Sequence, residues 1–94
     1  MNQNEQIAGV VAELRAGSKR GSRAIELAVS AREVLGSNFG AISFIAVFNR
    51  AFGIPLSVLK QAQAWCGFGW GQVHISDDEF KGLLDPWIDR SISS

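Results

Sequence analysis

Apolar residues in the first half of the chain recur at helical spacing. Ile7, Val10, Val11 and Leu14 stand at i, i+3, i+4 and i+7, one stripe of an amphipathic helix. That spacing predicts a first helix over 3–16, stopped by Gly17. The polar stretch Gly17-Ser18-Lys19-Arg20-Gly21-Ser22 reads as the turn that follows, with Ser side chains available as caps. A second helix is predicted over 23–35, with Ile25, Ala28, Val29 and Leu35 inward, Glu26, Arg32 and Glu33 outward, and Gly36 just past its end. Leu27, Ala31 and Val34 widen its apolar surface beyond one stripe, so it should meet neighbours on two sides.

The third helix is predicted over 39–52, capped by Ser37 or Asn38. Phe39, Ile42, Phe44, Ile45, Val47, Phe48 and Phe52 cover nearly its whole circumference, and a helix apolar all round is a buried one. Gly53 ends it, and Pro55 suits the first turn of a fourth helix over 55–66. That helix is expected to turn Leu56, Leu59, Ala62 and Cys66 inward, with Val58 and Trp65 close to the same face. Ser76-Asp77-Asp78-Glu79 is a capping box before a run with Phe80, Leu83, Leu84, Trp87 and Ile88 at helical spacing. Pro86 should kink or restart this last helix, with Asp85 as the new cap. The resulting expectation is an all-α fold. It is a small single-domain bundle of about five helices over residues 1–94, packed around a buried central helix at 39–52, with 91–94 a frayed tail.

The chain has 94 residues, nine Lys/Arg and nine Asp/Glu, but the charges are segregated. Residues 1–60 carry seven cations against four carboxylates, net +3, and residues 61–94 carry two against five, net −3. A chain balanced in this way lacks the net basic character of a strong nonspecific nucleic-acid binder. One cysteine, Cys66, leaves no internal disulfide. The polar start, Met-Asn-Gln-Asn-Glu-Gln, has no signal-peptide pattern. The longest apolar run, 39–48, is about half the ~20 residues that span a bilayer. These features lead to the expectation of a cytoplasmic chain without a membrane contact.

All three tryptophans lie in the last third, and two of them bracket Trp65-Cys66-Gly67-Phe68-Gly69-Trp70-Gly71. Either Phe68 and Trp70 are exposed anchors for a partner, or the aromatics fold back over helices three and four while the glycines permit the turn. Asp77, Asp78, Glu79, Asp85 and Asp89 form an acidic edge beside this segment. Apolar anchors inside a charged rim match an interface for a basic protein. In size, helical content and this aromatic–acidic face, the chain resembles small bacterial immunity or antitoxin proteins, which bind and block a partner enzyme. The resemblance is one of general build and transfers no residues. It implies a non-catalytic protein-binding module, with Phe68 and Trp70 as anchors and Asp77, Asp78, Asp85 and Asp89 steering a basic partner.

A second reading, a phosphate- or nucleic-acid-binding regulator, rests on Arg15, Lys19, Arg20 and Arg23, four cations in nine residues beside a helix start. Free N–H groups and the helix dipole there favour a phosphate or an acidic partner. The spacing is not that of a P-loop, and helix three is too apolar to read DNA bases. A homodimer burying surplus apolar surface of helix two or of the tryptophan segment is a third. For catalysis, Cys66 and His74 are the only nucleophile–base candidates, eight residues apart, with no third group. His74 with Asp77 or Asp78 is a poor metal ligand set. The expectation is no enzyme activity, no cofactor and no metal.

Overall fold

A computed structural model describes residues 3–65, 68 and 74–93. Five α-helices follow one another: α1 (Gln3–Lys19), α2 (Ala24–Leu35), α3 (Ala41–Phe52), α4 (Leu56–Ala62) and α5 (Asp77–Ser93), with one turn of 3-10 helix, Gly36–Asn38, between α2 and α3. α3 packs chiefly on α1 and α4, while α5 lies across α2 and α4. The all-α bundle follows from the apolar periodicity, and its joints depend on details that periodicity does not carry.

α1 passes through Gly17 and runs to Lys19, a correction to the expected stop. Gly17 is buried, and a Cβ there would lie 3.0 Å from Leu27 Cδ2. The glycine serves close approach of α1 to α2, not helix termination. The chain turns instead at Gly21, whose φ is +98°. Ser22 N–H donates to the Gly17 carbonyl at 3.0 Å and Gly21 N–H to the Ser18 carbonyl at 3.1 Å, the paired bonds of a Schellman ending. Across this joint α2 presents Ala24, Leu27, Ala28, Ala31 and Leu35, all buried. Small residues let the helices come close. Val29, expected inward, is exposed, as is Val34.

α3 begins at Ala41 after the extended Gly40, with no side-chain cap. Ser37 and Asn38 lie in the preceding 3-10 turn, so neither caps it. Asn38 Nδ2 donates to Gln6 Oε1 at 3.0 Å, and the Asn38 carbonyl accepts from Ser43 Oγ at 2.7 Å. Phe44, Val47, Phe48, Ala51 and Phe52 are buried, but Ile42 is 85% exposed. The helix therefore has a solvent face despite its all-round apolar composition. α4 is shorter than expected: it stops at Ala62 and buries Leu59 and Ala62, while Leu56 is exposed. Tight turns carry the chain out, Ala64 N–H to the Gln61 carbonyl and Trp65 N–H to the Ala62 carbonyl. Trp65 and Ile75 pair in a parallel bridge ahead of α5, with Ile75 N–H donating to the Ala64 carbonyl at 3.0 Å.

Ser76 caps α5 as its sequence predicts: Glu79 N–H donates to Ser76 Oγ at 3.2 Å, and the Glu79 carboxylate sits 3.5 Å from the same hydroxyl. Pro86 does not divide the helix, which is continuous from Asp77 to Ser93. Pro86 and Gly82 are both exposed, so the Gly82 carbonyl that lacks its helical donor is open to water. Asp85, expected to cap a restarted helix, caps a different one. Its Oδ1 accepts the Ala24 N–H at 3.1 Å, at the first residue of α2.

Arg23 completes this joint. Its guanidinium reaches Asp89 by two bonds, 2.6 and 3.3 Å, and lies 3.6 Å from Asp85 Oδ2. The hydrogen bond from Arg23 holds the Asp89 carboxyl below its ordinary range, and the same bond raises Arg23. A carboxyl depressed in the folded state contributes stability above its unfolded pKa and loses that contribution as pH falls through the folded value. Asp85→Ala is expected to cost about 1 kcal/mol, the typical worth of a lost cap, in urea unfolding at neutral pH. Asp89→Ala should cost less, because the pair is exposed and screened by salt. In an acid titration followed by circular dichroism, the wild-type advantage over Asp89→Ala should vanish only below the ordinary aspartate range.

Candidate functional site

The face between α4 and α5 is organised by aromatic packing. Trp65 stacks on Phe80 with ring centroids 4.4 Å apart and an interplanar angle of 17°. Phe68 meets both edge-on, at 5.0 Å and 5.7 Å, and also contacts Phe44 at 4.9 Å and Phe39 at 5.5 Å. Such stacked and edge-to-face pairs are the favoured aromatic geometries. Trp65 and Phe68 are only 6% and 7% exposed. The expectation that Phe68 inserts into a partner is therefore corrected: it is core, fixed by four aromatic rings. Its inward turn is the alternative the sequence left open. Cys66 and Trp70 lie outside the described residues, so the Cys66–His74 pair does too; His74 is exposed.

The indole N–H of Trp65 donates to Asp77 Oδ1 at 2.7 Å. This bond gives a nearly buried indole its partner and ties the first residue of α5 to the end of the α4 turn. Asp78 and Glu79 stand exposed on the same turn. The five carboxylates thus do not form one edge. Asp77, Asp78 and Glu79 cluster at the start of α5, whereas Asp85 and Asp89 are engaged at the α2 joint.

Beside the acidic turn, α4 and α5 leave an open groove of about 370 Å³, lined by Gln61, Ile75, Glu79, Gly82 and Leu83. Ile75 and Leu83 are half-buried and supply its apolar walls; Gln61 and Glu79 are exposed and supply an amide and a carboxylate. Of these five, the sequence marks only Glu79, as part of the acidic edge; Gln61, Ile75, Gly82 and Leu83 were not singled out as site residues. The one available signal was Gly82, a glycine inside a helical pattern with no turn to make.

The basic set separates in the same way. Arg15 donates through Nε to the Ala51 carbonyl and through Nη2 to the Arg50 carbonyl, both at 3.1 Å, and so closes the end of α3. Arg23 is engaged by Asp85 and Asp89. Lys19 and Arg20 are exposed at the end of α1. The start of α2, where an outside anion was expected, already receives the Asp85 carboxylate.

Among the described residues, no helix is long and apolar enough to cross a membrane, and no three His, Cys, Asp or Glu side chains are grouped to hold a metal ion. No family model matches the chain, and neither a curated protein nor a solved structure matches it. Asp77→Ala should cost about 1–2 kcal/mol by leaving the Trp65 N–H without its carboxylate, whereas Asp78→Ala should stay within about 0.5 kcal/mol. Denaturant unfolding followed by tryptophan fluorescence separates the two.

Proposed function

We propose that this chain is a small non-catalytic protein-binding module that engages a basic partner through the start of α5 and the α4–α5 groove. The observation that carries the reading is their juxtaposition: a groove with apolar walls at Ile75 and Leu83 opens beside an exposed turn bearing Asp77, Asp78 and Glu79. An apolar centre within a charged rim is the usual anatomy of a protein interface, and the carboxylates would steer a basic surface during encounter. Trp70, a few residues before Ile75 in sequence, keeps its place in the proposal as an anchor from the sequence alone. Binding that blocks a partner enzyme, as immunity and antitoxin proteins do, is the form of activity such a module would have.

Affinity capture from native lysate tests the reading when wild type is compared with the double variant Asp78→Lys, Glu79→Lys. A partner retained by wild type and reduced at least tenfold by charge reversal, with unchanged helical circular dichroism, is the expected result. For that partner, Trp70→Ala should weaken binding by about 2 kcal/mol, the size of a true anchor. Equal retention by wild type and the double variant would sink the proposal.

A further inference from the structure

Gly82 is the least explained residue of α5. Glycine inside a helix is less stable than alanine there, and neither a left-handed backbone nor close packing accounts for it here. Its φ is not among the positive values of the chain, and a Cβ built at Gly82 meets no atom within 4 Å. Gly82 is exposed and lines the α4–α5 groove together with Glu79 and Leu83. A residue that breaks a local rule without a packing gain marks a place where function is the expected compensation.

We infer that the groove receives an arginine or lysine side chain of the partner, and that Gly82 is there to keep it open. The chemistry of the lining matches that side chain from stem to head. An aliphatic stem lies against apolar walls while its cationic head reaches a polar group; Ile75 and Leu83 are the walls, and the Glu79 carboxylate and Gln61 amide are the polar end. The Glu79 carboxylate spends little of its capacity within the fold, meeting the Ser76 hydroxyl at 3.5 Å. Asp77 and Asp78 on the same turn add negative charge without lining the groove. Lys60 and Lys81 adjoin lining residues in sequence, but neither lines the groove. At about 370 Å³ the groove is near the low end of the roughly 300–1,000 Å³ typical of small-molecule sites and open to solvent. That suits a side chain presented by a folded or extended partner better than an enclosed metabolite.

This inference rests on the protein-binding reading but is tested apart from it. The full chain, with labelled backbone amides and Ile and Leu methyls, is titrated by NMR with the acetylated, amidated hexapeptide Ala-Leu-Arg-Ala-Leu-Arg and with its counterpart carrying Glu for Arg. Saturable shifts at the Ile75 and Leu83 methyls and the Gly82 amide are expected with the arginine peptide alone. Glu79→Gln, which keeps a capping residue at that position, should weaken binding at least fivefold. Gly82→Leu should abolish it by filling the groove, and Gly82→Ala should raise the melting temperature.

Shifts confined to the Asp77 and Asp78 amides, or equal binding by Gly82→Leu, overturn the inference. A lower melting temperature for Gly82→Ala also overturns it, because the glycine would then serve the backbone opposite Pro86. If Gly82→Leu does not fold, Glu79→Gln alone decides, and unchanged affinity counts against the groove. Silence of the groove while charge reversal at Asp78 and Glu79 still releases the captured partner removes this inference and leaves the module reading standing.

Discussion

The continuous contact of aromatic rings is the constraint on which the rest of this molecule depends. Phe52 touches Phe48, Phe48 touches Phe44, and Phe44 meets both Phe68 and Phe80, which close on Trp65; Phe39 joins through Phe68. All six phenylalanines of the chain belong to this one network. Each such pair adds about 0.5–1.5 kcal/mol beyond its buried area, so together they are comparable with the roughly 5–15 kcal/mol net stability of a typical domain. α3 supplies one side, and Phe80 of α5 with Trp65 and Phe68 supplies the other. The network is thus one attachment of α5, and its joint with α2 is another.

That dependence reaches the surface through Trp65. Its ring is held by Phe80 and Phe68, and its N–H holds Asp77. The acidic first turn of α5 therefore has a position fixed from below by packing and from the side by a charge-assisted hydrogen bond. A rigid turn presents its remaining carboxylates at lower entropic cost than a mobile one would. The groove beside it inherits the same rigidity, since Glu79, Gly82 and Leu83 all ride on α5.

The charges divide into those that hold the helices together and those that remain outward. Arg15 closes α3, and Arg23 with Asp85 and Asp89 fastens α2 to α5. Asp85 acts twice, as a partner near Arg23 and as the cap of α2. Burying the first N–H of α2 against another element would otherwise leave a donor without an acceptor. A segregation of charge that looks along the chain like a basic half and an acidic half is thus partly consumed in joining them. The carboxylates at the start of α5 are not involved in that joint.

Periodicity together with the local glycine and proline signals determined the five helices, and the Ser76 cap was legible because a capping box is local. Trp65 and Leu59 could be placed inward from spacing and size. Which side of each helix meets a neighbour could not be read in the same way. Spacing marks an apolar face but not its angle to the next helix, so Ile42 and Leu56 look like core residues in sequence and stand in solvent. Gly17 reads as a stop until Leu27 is found 3.0 Å from its missing Cβ. Asp85 reads as a cap for its own helix until the start of α2, 61 residues earlier, is found against it. Phe68 could turn either way until four rings surrounded it. The sequence sets what each segment can form by itself; only tertiary contact decides which residue serves another segment, because that service depends on distances between atoms far apart along the chain.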